Sequence, residues 1–148
     1  MVQRAKELGG TIHCGGGLFD PQQLPERCRD GFYFKPTLIS GLDPACEIEQ
    51  EEIFGPVITV QTFKTEEEAI ALANGTKFGL AAVIFSNNSA RISRVTRALQ
   101  AGVVWVNSWM IRDLRTPFGG MKQSGIGREG GVEALKFFTE AKNICIPG

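Results

Sequence analysis

Apolar and polar positions follow two different rhythms along this chain. Over residues 2–8, Val2, Ala5 and Leu8 recur at helical spacing, and Gly9-Gly10 stops the run. Residues 11–14 then read as a short strand, and 15–29, with Gly, Pro and mixed charge, as a loop. Two strand-like clusters follow, Phe32-Tyr33-Phe34 and Thr37-Leu38-Ile39. Pro36 between them cannot donate to a sheet ladder, which predicts an edge position. Asp43, Glu47, Glu49, Glu51 and Glu52 gather in one stretch, as expected of a solvated acidic face.

From Val57 onward the pattern becomes regular. Residues 57–63 predict a strand, and Thr65-Glu66-Glu67-Glu68 has the spacing of a capping box. That box opens a helix with Ala69, Ile70, Leu72 and Ala73 inward, ended by Asn74-Gly75. The nearly continuous apolar run over 80–85 predicts a buried strand. Residues 89–100 predict an amphipathic helix, with Ile92, Val95 and Leu99 on one face, Arg91, Arg94 and Arg97 exposed, and Gly102 as its stop. A buried strand over 103–106, a helix over 132–141 burying Val132, Leu135 and Phe138, and a strand over 143–146 complete the pattern.

Strands alternating with helices argue for an α/β fold with parallel pairing and right-handed crossovers. Such sheets carry their sites at the carboxyl ends of strands. Asn107 and the residues after it, as far as Gly131, are therefore where function is expected. Asn107 itself has the chemistry of a strand-end residue that hydrogen-bonds backbone.

Composition narrows the picture. The 148 residues are enough for one ordinary domain core, and the apolar and charged fractions are those of a soluble globular chain. Sixteen basic side chains balance sixteen acidic ones, so no basic field draws nucleic acid. No apolar run approaches the roughly 18 residues of a membrane helix, and no signal peptide is visible. Cys14, Cys28, Cys46 and Cys145 form no Cys-x-x-Cys pair, and His13 is the single histidine, so zinc-site spacing is absent. Scattered thiols of this kind suggest a reducing compartment: the cytoplasm, with the mitochondrial matrix also open. They read as inert or partly buried rather than nucleophilic.

Residues 116–131 carry six glycines and a proline, a density that excludes a helix or strand interior. Phe118, Met121 and Ile126 give this stretch apolar anchors, so it reads as a functional loop rather than a disordered one. It contains Gly125-x-Gly127-x-x-Gly130, but neither the preceding strand nor the later acidic residue that a dinucleotide fingerprint requires. A glycine-rich turn feeding the next helix, with Glu129 near that helix's positive end, is the expectation from the residues.

The stretch Pro117-Phe118-Gly119-Gly120-Met121-Lys122-Gln123-Ser124-Gly125-Ile126-Gly127-Arg128-Glu129 resembles the late active-site loop of the NAD(P)-dependent aldehyde dehydrogenases. Glu51-Glu52-Ile53-Phe54-Gly55-Pro56-Val57 resembles a second motif of that family, and Val104-Trp105-Val106-Asn107 between them fits as well. The resemblance implies a C-terminal catalytic-domain segment with a three-layer fold around a mostly parallel sheet. Residues 1–142 would belong to the catalytic domain and 143–148 to a terminal strand of the oligomerisation region. The helical pattern that begins at Met1 without a cap adds the expectation that this chain is the tail of a longer protein.

The family's chemistry uses a cysteine thiolate that attacks the aldehyde, a glutamate base that activates water, and a nicotinamide that accepts hydride. By resemblance all three belong upstream, so no catalytic residue is expected here, and this chain alone is expected to be inactive and to bind no cofactor. Glu52 would meet the nicotinamide ribose of NAD or NADP, and Phe54 the nicotinamide. Read from the residues alone, Glu52 is a surface charge and Phe54-Gly55-Pro56 an apolar turn. Phe118 would line the aldehyde tunnel, a role compatible with ordinary core packing.

The stretch Ser108-Trp109-Met110-Ile111-Arg112-Asp113-Leu114-Arg115 carries charge where many members are apolar. In this it resembles the branch acting on 2-aminomuconic or 2-hydroxymuconic semialdehydes, which bear a carboxylate beside the aldehyde. Arg112 would recognise that carboxylate, with Arg115 as competitor; the bland reading is a salt bridge to Asp113 or another carboxylate. Homo-oligomerisation is the expected partnership. The alternative class is a non-catalytic interaction module that associates with full-length subunits.

Overall fold

The computed structural model describes all 148 residues, which divide into two compact units, Met1–Gly75 and Thr76–Gly148. No helix is long and apolar enough to cross a membrane.

The first unit opens with helix α1, Val2–Glu7. It ends as its glycines predict. Gly9 takes φ +88° and donates to Lys6 O at 3.0 Å, while Gly10 donates to Ala5 O at 2.8 Å. These two bonds satisfy carbonyls that the last turn leaves open. Strand β1, Thr11–Cys14, pairs antiparallel with β2, Thr37–Ser40, and β2 pairs parallel with β3, Val57–Val60. The order β1-β2-β3 makes β2 the central strand, not an edge. Pro36 precedes the strand, so its missing N–H removes no ladder bond, and the following Thr37 N donates to Pro56 O at 2.9 Å.

Phe32-Tyr33-Phe34 does not form a strand. Phe34 makes an isolated bridge with Leu18, supported by Phe19 N to Tyr33 O at 3.0 Å and Lys35 N to Gly17 O at 2.9 Å. The loop before it contains two 3-10 turns, Pro21–Gln23 and Glu26–Cys28. The core of this unit is Ala5, Ile39, Leu42 and Ile48, packed by Val2, Ile12, Cys46, Ile53 and Val57. Ile48 belongs to the short helix α2, Glu47–Gln50, so one apolar residue anchors the acidic stretch from beneath. Helix α3, Glu66–Asn74, is capped by Thr65, whose side chain accepts from Glu68 N at 3.1 Å. Glu68 Oε2 returns to Lys64 N at 2.7 Å, one residue before the cap.

In the second unit β4, Phe78–Gly79, precedes β5, Ala81–Ile84, then α4, Ser89–Ala98, and β6, Val103–Val106. Strands β5 and β6 pair parallel around α4, the crossover unit that the sequence predicts. Asn88 caps α4 by accepting from Arg91 N at 2.9 Å. The helix ends at Leu99, whose backbone is extended, so Gly102 is not its stop. Gly102 instead lies where backbones converge: a Cβ there would stand 1.6 Å from Gly119 O.

One predicted loop gains structure. Residues Met121–Lys122 form β7, antiparallel to β4. Helix α5 spans Gly131–Phe138, beginning one residue before expectation and ending three residues before it. Its apolar side chains are not buried, Leu135 being 65% and Phe138 80% exposed. No element of its own unit covers them. Residues 143–146 pair with no strand of this chain, and Ile144 and Ile146 are exposed. The fold is thus mixed α/β with parallel pairs at β2-β3 and β5-β6, but its strands form three separate sheets rather than one mostly parallel sheet.

Candidate active-site segments

The candidate residues divide between the two units. In the first, the turn from α2 into β3 carries Glu52 and Phe54. Phe54 has φ +57° and is 90% exposed. Left-handed backbone is costly for a bulky residue, of order 1–3 kcal/mol, and such strain concentrates at functional sites. Here it holds an aromatic ring out of the local core. Glu52 and Phe54 line one cleft of ≈ 330 Å³ with Glu49, Glu51, Gly55 and Thr59. Glu49 is engaged, accepting from Thr59 Oγ1 at 2.9 Å and Gln61 Nε2 at 2.9 Å. Glu52 is exposed and has no hydrogen-bond partner in this chain. A free carboxylate beside a presented ring suits a ribose diol and a flat heteroaromatic ring. An acceptor and a ring face placed this way fit a nicotinamide nucleoside.

In the second unit, the segment after β6 is pinned at several points. Asn107, at φ +49°, accepts from Ser86 N and donates Nδ2 to Ser86 O, both at 2.9 Å. This matches the strand-end role expected of it. Trp105 Nε1 donates to Ile111 O at 2.7 Å, and its ring meets Trp109 edge-on at 5.0 Å. These contacts fix the backbone up to Arg112.

Arg112 lies with its guanidinium 4.1 Å from the centroid of the Phe118 ring, and its Nη2 donates to Glu129 Oε1 at 2.6 Å. The two sequence-predicted residues Arg112 and Phe118 are thus in direct contact, and both line a cavity of ≈ 420 Å³ with Trp105, Ile111 and Thr116. The carboxylate partner of Arg112 is Glu129 and not its neighbour Asp113. Asp113 instead takes Arg115, whose Nε lies 2.9 and 3.1 Å from the two carboxylate oxygens and whose Nη2 is 2.5 Å from Oδ2. The side-chain bond from Arg115, helped by its backbone N–H, holds the Asp113 carboxyl below its ordinary range, and Asp113 raises Arg115 in return.

Two features escape a reading of the sequence. Glu129 directly precedes the Gly130 cap of α5, and it also pairs with Phe118, each residue donating its N–H to the other's carbonyl at 2.8 Å. The left-handed residues Phe54, Asn107, Met110 and Lys122 all fall in the candidate segments. Only Asn107 is of a type that adopts this conformation readily. No three or more His, Cys, Asp and Glu side chains gather into a group that could hold a metal ion.

A family model described as the aldehyde dehydrogenase family matches residues 1–144. The 2-hydroxymuconic semialdehyde dehydrogenase of Pseudomonas sp. (strain CF600) is 50% identical over 144 residues, 97% of this chain and 29% of that protein. The 2-aminomuconic semialdehyde dehydrogenase of Homo sapiens is 48% identical over 145 residues, 98% of this chain and 30% of that protein. Among solved structures, betaine aldehyde dehydrogenase from Staphylococcus aureus in complex with NAD+ superposes with a TM-score of 0.82 at 41% identity, covering 93% of this chain and 27% of that one. Indole-3-acetaldehyde dehydrogenase of P. syringae, in complex with NAD+ and IAA, gives 0.86 at 42% identity, covering 95% and 27%. The chain thus spans less than a third of the length of the relatives it matches. With a family match across nearly all of its residues, two motifs in order and a shared fold, this chain belongs to the aldehyde dehydrogenase family.

Proposed function

We propose that the chain is the C-terminal part of the catalytic domain of an NAD(P)-dependent enzyme that oxidises a carboxylate-bearing, muconic-type semialdehyde to the acid. In this reading residues 1–142 contribute to a three-layer catalytic domain, and 143–148 supply a terminal strand to the oligomerisation region of a homo-oligomer. The uncovered apolar side chains of α5 and of Ile144 and Ile146 support such an association, because exposed apolar surface of this kind favours pairing. The nucleophilic cysteine and the general base lie in the remainder of the protein, so these residues alone turn over no aldehyde. The cytoplasm is the proposed compartment.

Within that assembly this chain's residues bind and orient. Glu52 accepts hydrogen bonds from ribose hydroxyls, and Phe54 packs on the nicotinamide. When bound, NAD(P) supplies the hydride acceptor. Phe118 forms part of the wall along which the aldehyde enters, and Arg112 takes the substrate carboxylate. A planar fork of N–H donors matches a carboxylate two-on-two and so sets the direction in which the aldehyde end points.

The observation that carries this reading is the contrast between the two arginines. Asp113 engages Arg115 through both Nε and Nη2, whereas Arg112 is held by a single hydrogen bond and a ring face. Arg112 therefore keeps a complete two-donor edge for a ligand where it lines the cavity beside Phe118, whereas Arg115 lies outside that lining with its side chain 89% exposed. In the full-length protein, Arg112→Ala should raise KM for 2-hydroxymuconic semialdehyde by about one to two orders of magnitude, the ~1.5–3 kcal/mol of a charged hydrogen bond. Hexanal should be affected far less. Equal losses on both aldehydes would make Arg112 structural and remove the carboxylate-bearing substrate from the proposal.

A further inference from the structure

Arg112 is held from two directions by one piece of backbone. Phe118 and Glu129 form an antiparallel bridge in which each N–H donates to the other's carbonyl at 2.8 Å. Residues paired in this way project their side chains to the same side of the ribbon. Both of these side chains meet Arg112: the Phe118 ring lies under the guanidinium at 4.1 Å, and the Glu129 carboxylate takes Nη2 at 2.6 Å.

A guanidinium has five N–H donors. Whichever Nη2 hydrogen Glu129 takes, the other Nη2 hydrogen still pairs with either Nε–H or Nη1–H, so one two-donor edge stays whole. The ring face holds the guanidinium from one side and the carboxylate holds Nη2 from another, so together they restrict how that edge can turn. A long, flexible side chain then presents its open edge in one orientation, which lowers the ordering cost when a ligand binds. The negative charge of Glu129 also offsets the net positive charge at the site. A ligand that reaches both donors therefore gains more than one that merely carries negative charge nearby.

We propose that Glu129 is a positioning residue for substrate selectivity: it holds Arg112 against Phe118 so that the free edge of the guanidinium meets the carboxylate of the aldehyde. This rests on the reading of Arg112 given above and adds a residue that touches the substrate only through another.

The test is a double-mutant cycle in the full-length protein, with 2-hydroxymuconic semialdehyde and hexanal as probes. Glu129→Ala should raise KM for the semialdehyde about five- to tenfold and leave KM for hexanal within about twofold. Any change in kcat should be common to both aldehydes. Glu129→Gln keeps an acceptor of the same shape without the charge, and should fall between wild type and Glu129→Ala. If Glu129→Ala does not fold, this variant carries the same comparison. Combined with Arg112→Ala, either change at Glu129 should add nothing further for the semialdehyde. Selective loss in Arg112→Ala, with equal or no KM change for both aldehydes in the Glu129 variants, would overturn the role of Glu129 alone. Additive losses in the double variant would overturn it too. A non-selective Arg112→Ala would overturn the carboxylate reading and this inference with it.

Discussion

Asn107 and Ser86 are joined by a two-way clasp: the Asn107 side chain accepts from Ser86 N and donates to Ser86 O, both at 2.9 Å. The clasp ties the end of β6 to the residues just after β5, the adjacent parallel strand. It also sets the direction in which the chain leaves toward Arg112. Because Asn107 sits at φ +49°, an alanine there would lose two hydrogen bonds and add backbone strain.

Asn107→Ala should therefore destabilise the folded protein by about 1.5–3 kcal/mol, and Asn107→Gly by less, since glycine adopts the same backbone freely. Urea unfolding of both variants separates the two contributions. Equal stabilities for alanine and glycine would mean that left-handed geometry at this residue is of no consequence.

Gly102 offers a purely steric prediction. A methyl group there would stand 1.6 Å from Gly119 O and 2.8 Å from Gly119 C, both backbone atoms that no side-chain rotation can move aside. Gly102→Ala should cost ~2 kcal/mol or more, in the range of overpacking substitutions. Gly17 has open space around its would-be Cβ, so Gly17→Ala is the matched control and should be near neutral. Thermal melts of the pair decide it, and a neutral Gly102→Ala would contradict this backbone approach.

Glu52 is exposed and unpartnered in this chain, so Glu52→Gln should change folding stability by no more than about 0.5 kcal/mol. In the full-length protein the same substitution should slow hydride transfer about tenfold or more, because an amide holds ribose hydroxyls less strongly than a carboxylate does. Single-turnover absorbance at saturating cofactor reads this step directly. An unchanged rate would remove Glu52 from the cofactor site.

Much of the local structure is written in the residues themselves. Gly9-Gly10 ends α1 because the two bonds that close the helix need a left-handed residue. Thr65 and Asn88 start α3 and α4 because their oxygens satisfy open N–H groups. The β5-α4-β6 crossover follows from the alternation of strand and helix patterns, the two family motifs direct attention to Glu52, Phe54 and Phe118, and the charged stretch 108–115 directs it to Arg112.

Tertiary structure alone decides the rest, because it turns on pairings that sequence spacing does not encode. A proline beside a strand says that one donor is missing, but not whether the ladder needed that donor; β2 is central because it did not. Apolar spacing in α5 says that a face wants cover, yet its own unit supplies none, and Leu135 and Phe138 stay exposed. Asp113 and Glu129 are equivalent carboxylates to a reader of the sequence. The bridge between Phe118 and Glu129 brings one of them to Arg112, while Asp113 closes on Arg115. That choice sets the Arg112 guanidinium against Phe118 at the cavity, and it was made by the folding of a glycine-rich segment whose backbone freedom no local rule restricts.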